Sequence, residues 1–136
     1  MCSSHHSCSS GPKGLDPMRM ILTALLINFA TQAVAGETAL AGTVTHVRDG
    51  DTIEVNNVPI RLAALDCPER GTQKGDTASR IAQQFLGSQA TCELTGAKTY
   101  DRLVGYCEVN GADFGAYMMQ NSACKVWEKY DVWDRY

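Results

Sequence analysis

The sequence has no excess of positive charge: 12 Lys+Arg stand against 15 Asp+Glu, a formal charge of −3. Long-range attraction to a phosphate backbone is therefore excluded, and any nucleic-acid role must rest on a local site. A membrane-spanning run is also lacking. The apolar stretch Met20 to Ala30, "MILTALLINFA", is eleven residues long, whereas a spanning helix needs about 20. Among Cys67, Cys92, Cys107 and Cys124 no C-x-x-C pair occurs, which argues against a zinc site and against thioredoxin-like redox chemistry. With 44% hydrophobic and 20% charged residues in 136, the composition is that of one folded domain with a small core, not of a disordered tail.

What is present begins with an export pattern. Arg19 precedes the apolar run, and Ala33-Val34-Ala35 after it fits a small-residue cleavage site, so residues 18–35 read as a secretory signal peptide starting at Met18. Residues 1–17 read as an overcalled start or tag-like leader. Its Cys2, His5, His6 and Cys8 match no structural zinc spacing. The expected mature domain is 36–136. Removing Lys13, Arg19 and Asp16 leaves ten basic against fourteen acidic residues, or −4. Four cysteines remain, an even number behind an export signal, which suggests two disulfides in an oxidising compartment.

From Leu40 onward the domain reads as short strands broken by turns. Gly42 to Arg48, Thr52 to Val55 and Pro59 to Leu65 form a meander with turns at Asp49-Gly50 and Asn56-Asn57. Ala78, Ile81, Ala82, Phe85 and Leu86 recur at helical spacing, with Asp76 as the expected N-cap and Gly87 past the end. "TCELT" and "RLVGYCEV" give two further strands, ended by Asn110-Gly111, and Asp113 caps a second helix, "FGAYMMQN". Five strands with a helix between the third and fourth is the element order of an OB-type barrel, α+β and mostly β. The tail places Trp127, Tyr130, Trp133 and Tyr136 three apart. On an α-helix such a stripe drifts by about 60° per step, so an irregular or partly ordered tail is expected.

Three polar constellations carry chemistry. In "RDGDT", Asp49 and Asp51 flank a glycine, a pattern that suits a turn; Ile53 and the placement of Gly50 exclude an EF-hand. In "RLAALDCPE", Arg61 and the group Asp66-Cys67-Pro68-Glu69 bracket an apolar strand. In "TYDRLVGY", Arg102 opens another. Singly, each reads as turn, cap or surface residue.

In this order and around one amphipathic helix, the three motifs resemble the staphylococcal nuclease (thermonuclease) family, from about Gly42 to Val126. The resemblance implies an OB-fold barrel and hydrolysis of DNA or RNA phosphodiesters to 3′-phosphates. It further implies that Asp51, Asp66 and the main-chain carbonyl of Cys67 bind Ca2+, with Asp49 behind them. Glu69 would orient or deprotonate the attacking water, and Arg61 and Arg102 would hold the phosphate. Planar guanidinium forks suit that task as lysine does not. Tyr100, Trp127 and Tyr130 are candidates for stacking on a base. The expected protein is exported, to the periplasm or medium, a monomer with a polynucleotide substrate and no membrane partner.

Some positions depart from the family pattern. Cys67 stands where threonine is common, Asp101 replaces the glycine usual before the second arginine, and the basic loop is reduced to Arg70, Lys74 and Lys98. The third helix is missing or incomplete. Placing the cysteines on the family fold implies Cys67–Cys124 and Cys92–Cys107 disulfides. The acidic balance, Asp101 and the short tail keep a second reading open, a non-catalytic OB-fold module that binds an oligonucleotide or another ligand.

Overall fold

The computed structural model describes residues 38–136. The expected leader and signal peptide, with Cys2, His5, His6 and Cys8, lie outside them. The chain is α+β and mostly strands. β1 (Ala39–Asp49), β2 (Thr52–Val55) and β3 (Val58–Leu62) form a meander; β4 (Leu65–Asp66) and α1 (Gln73–Gln83) follow. β5 (Gln89–Thr99) and β6 (Arg102–Val109) form a long hairpin, and β7 (Ala112–Asp113), α2 (Phe114–Asn121) and β8 (Lys125–Val126) complete the order. The main sheet runs β3-β2-β1-β5-β6-β7, and a parallel pairing of β3 with β6 (Ile60↔Leu103 to Leu62↔Gly105) closes it into a ring.

Turn chemistry sets the register. Asn56 and Asn57 adopt φ of 48° and 64° between Val55 and its partner Val58, the two-residue loop in which asparagine tolerates left-handed backbone. Asp113 caps α2 as expected, its Oδ1 accepting from Ala116 N at 2.7 Å. The first turn differs by one residue: Asp49 still pairs with Thr52, so the loop is Gly50-Asp51. The cap of α1 also differs. Thr72, not Asp76, is the N-cap and accepts from Gly75 N at 3.0 Å, while Asp76 reaches back to accept from Gly71 N at 2.9 Å. A threonine hydroxyl is as able a cap as a carboxylate, and Thr72 stands one turn earlier. The helix ends at Gln83, and Phe85 and Leu86 lie in the turns before Gly87.

The largest revision is the third strand. It stops at Leu62, because Ala63-Ala64 form a turn with Ala64 at φ 59°. Leu65-Asp66 then pair instead with Lys125-Val126 in a separate two-stranded sheet. That turn is tied down: Ala63 N donates to Gly105 O at 2.8 Å, and Arg61 Nη1 donates to the carbonyls of Leu62 (2.8 Å) and Leu65 (2.7 Å).

Inside the ring lie Val44, Val47, Ile53, Val55, Ile60 and Leu62, covered by Ala78 and Ala82 of α1 and by Phe114 and Met118 of α2. Ile53 and Ile60 are fully buried, each burial contributing about 2 kcal/mol. Both implied disulfides are present, Cys67–Cys124 and Cys92–Cys107. Among the described residues no helix is long and apolar enough to cross a membrane.

The tail is irregular apart from one 3-10 turn, Glu128–Tyr130. It is nevertheless anchored. Tyr106 Oη donates to Asp131 at 2.7 Å, Tyr136 Oη donates to Asp113 at 2.8 Å, and Trp133 stacks on Tyr106 with centroids 4.9 Å apart. Gly115, a weak helix former, has a reason here: a Cβ at that position would strike the Tyr136 hydroxyl.

Candidate active site

The Gly50-Asp51 turn points Asp51 inward, where only 9% of the residue is exposed. Asp49 Oδ1 accepts from Asp51 N at 3.1 Å and so stiffens the turn from behind. Asp51 Oδ1 accepts from Thr52 Oγ1 at 3.2 Å, Oδ2 accepts from Cys67 N at 3.2 Å, and Arg61 Nη2 stands 3.2 Å from the same Oδ2. Burial pushes the Asp51 carboxyl up to about 6; the Arg61 guanidinium opposes the shift and the neighbouring Asp49 adds to it.

Arg61 and Arg102 reach Asp51 by different routes. Arg61 comes along β3, with its side chain 16% exposed. Its contacts to Leu62 O, Leu65 O and Asp51 leave Nε–H and one Nη2 hydrogen free of those partners. Arg102 opens β6. Its Nη1 donates to Thr52 Oγ1 at 3.2 Å, and since that hydroxyl donates to Asp51, a single buried threonine links the second arginine to the carboxylate.

Asp51, Arg61 and Arg102 line one cleft of about 460 Å³ with Asp49, Asp66, Cys67 and Glu69. Every residue expected to act in catalysis or metal binding faces it. Asp66 and Glu69 are exposed side chains on β4 and on the loop before α1. The Glu69 main chain is fixed from below: Thr72 Oγ1 donates to its carbonyl at 2.8 Å, and a Cβ at Gly75 would overlap that same oxygen. The Cys67–Cys124 disulfide joins this loop to the segment that carries Trp127, and Trp127 N donates to Ala64 O.

The aromatic candidates separate. Trp127 and Tyr130 meet edge to face at 4.4 Å and wall an apolar groove of about 180 Å³, which shares Arg61, Thr99 and Trp127 with the cleft. Tyr100 lines neither cavity. It is 93% exposed, with the Arg102 guanidinium 5.9 Å from its ring centroid. Sequence reasoning missed Thr52, Thr99 and Arg48. For Thr52 a signal existed, since a hydroxyl directly after a metal-type aspartate shares its turn. Asp101 does not stand alone beside Arg102: its Oδ2 lies 2.9 Å from Arg48 Nη1.

The donor set offered to a cation is all oxygen: the Asp51 and Asp66 carboxylates and main-chain carbonyls. Among the described residues no three His, Cys, Asp or Glu side chains converge closely enough to hold an ion by themselves. Two carboxylates completed by carbonyl and solvent oxygens fit calcium, which takes six to eight oxygens in flexible geometry. They do not fit zinc, which favours nitrogen and sulfur.

No protein-family model matches the chain. It is similar to the succinoglycan biosynthesis protein ExoI of Rhizobium meliloti (strain 1021), with 26% identity over 132 residues. The alignment covers 85% of this chain and 65% of that protein. The chain thus spans just under two thirds of the relative's length.

Proposed function

We propose that this domain is an exported, calcium-dependent nuclease of the staphylococcal nuclease kind, built on a five-stranded OB-type barrel. It hydrolyses DNA or RNA phosphodiesters to 3′-phosphate products. The observation that carries this reading is convergence: Asp51, Arg61, Asp66, Glu69 and Arg102, from four separate segments, line one cleft. The two disulfides accord with an oxidising destination. The relative's name concerns succinoglycan biosynthesis and specifies no reaction, so the reading rests on the cleft.

A phosphodiester is an anion that repels its nucleophile, so the chain's own residues must supply positive charge and a proton acceptor. Arg102 and the uncommitted N–H groups of Arg61 hold the phosphate, and Thr52 fixes Arg102 relative to Asp51. Glu69, held at its main chain by Thr72, orients a water and takes its proton. Asp51, Asp66 and the Cys67 carbonyl hold calcium, which when bound offsets the carboxylates and the charge developing on phosphate. The apolar groove beside Trp127 receives a base.

The test is digestion of a single-stranded DNA or RNA oligonucleotide with calcium or with chelator. Wild type cleaves only with calcium; Glu69→Gln lowers kcat by about 10²-fold or more, the ordinary worth of a general base, and Arg102→Ala causes a comparable loss. Equal cleavage by all three proteins, or no cleavage by wild type in calcium, would sink the reading. Binding without cleavage would identify a non-catalytic module instead.

A further inference from the structure

Arg48 near the end of β1 makes two ion pairs, through Nε to Glu54 Oε1 at 2.8 Å and through Nη1 to Asp101 Oδ2 at 2.9 Å. The second pair crosses from the end of β1 to the Tyr100-Asp101 turn, which joins β5 to β6 and directly precedes Arg102. Asp101 has 61% of its side chain exposed, and the hydrogen bond from Arg48 is the main reason that its carboxyl is held below the usual range. Left alone, this carboxylate beside Arg102 would repel an approaching phosphate. The Arg48 carbonyl also accepts from Arg70 Nη1 at 2.8 Å, and Arg70 is a further cation of the cleft.

We propose that Arg48 is a positioning residue for a polynucleotide phosphate: its guanidinium neutralises Asp101 and pins the Tyr100-Asp101 turn, so that this carboxylate does not oppose phosphate at the cleft rim. This rests on the nuclease reading above. Arg48 itself reaches no reacting atom. Its role is exerted through Asp101, which predicts a KM effect with kcat nearly preserved.

The experiment measures kcat and KM on a single-stranded oligonucleotide in calcium for wild type, Arg48→Ala, Asp101→Asn, Arg48→Ala/Asp101→Asn and Arg48→Ala/Glu54→Gln. Arg48→Ala raises KM about fivefold, the scale of one exposed ion pair, while kcat stays within about twofold. Adding Asp101→Asn restores KM, and adding Glu54→Gln does not. The Arg48→Ala deficit shrinks on going from low salt to about 0.5 M, because the exposed repulsion is screened. An unchanged KM in Arg48→Ala, or rescue by Glu54→Gln rather than Asp101→Asn, overturns the inference and leaves the nuclease reading standing. A wild type that neither binds nor cleaves the oligonucleotide overturns both.

Discussion

The two disulfides occupy unlike neighbourhoods. Cys92 and Cys107 are directly opposed residues of the β5–β6 ladder, 0% and 1% exposed, in a sheet that already fixes their distance. Cys67 and Cys124 join two segments whose own ladder is two residue pairs, Leu65↔Val126 and Asp66↔Lys125. The first cross-link repeats what hydrogen bonds already specify. The second holds the loop of Asp66 and Glu69 against the segment of Trp127, so the geometry of the cleft depends on it.

The most severe way to break this contrast is Cys67→Ala with Cys124→Ala. The bond spans 57 residues, and in the chain-entropy model its loss costs about 4 kcal/mol. Thermal unfolding should register that loss, and the proposed nuclease activity should fall at temperatures where circular dichroism still reports a folded domain. Cys92→Ala with Cys107→Ala opens a 15-residue loop and costs about 3 kcal/mol. Here the rate per folded molecule should match wild type; a comparable drop in both pairs would erase the distinction drawn between them.

Asp51, which accepts from Cys67 N, provides the next test. In the fold its carboxyl rises from 3.8 to about 6, so the metal-free native state binds this proton more tightly than the unfolded chain does. The Asp51 contribution is therefore most favourable below the unfolded value and is lost as pH rises through about 6. Wild type should lose about 2 kcal/mol more stability than Asp51→Asn between about pH 4 and pH 7 without calcium. Denaturant melts of both proteins across that range measure it, and parallel pH profiles would count against the burial of this charge. The smallest effect belongs to the sheet side. Tyr106→Phe removes the hydroxyl that holds Asp131 and should cost about 1 kcal/mol. Trp133 fluorescence should shift toward that of a more solvated indole, with kcat unaltered.

How much was legible follows from which contacts are local. β2, β6 and α2 were read to their observed bounds, because Asn56-Asn57, Asn110-Gly111 and Asp113 mark their ends by local backbone chemistry. β3 was read too long. The run Leu62 to Leu65 is apolar throughout, and what bends it at Ala64 is two remote partners, Gly105 O and Trp127 N, together with the local Arg61 guanidinium. The closing β3–β6 pair is parallel and non-local, and no short motif encodes it. For the cleft, which residues come together was legible, while the contacts that each makes were not. Arg61 spends two N–H groups on carbonyls of its own turn, and Arg48 offsets Asp101 from 53 residues away. The period of three in the tail fails for an α-helix yet suits the single 3-10 turn at Glu128–Tyr130.

Gly75 illustrates how such remote demands bear on engineering. Glycine inside a helix is the usual first target for stabilisation, since alanine there gains up to about 1 kcal/mol of propensity. At this position the methyl group would occupy the space of the Glu69 carbonyl oxygen. A thermostability screen that favours alanine everywhere on α1 would therefore push away the segment bearing the proposed proton acceptor. At position 75 the propensity rule fails outright, because the atoms that the methyl would meet are backbone and do not give way cheaply.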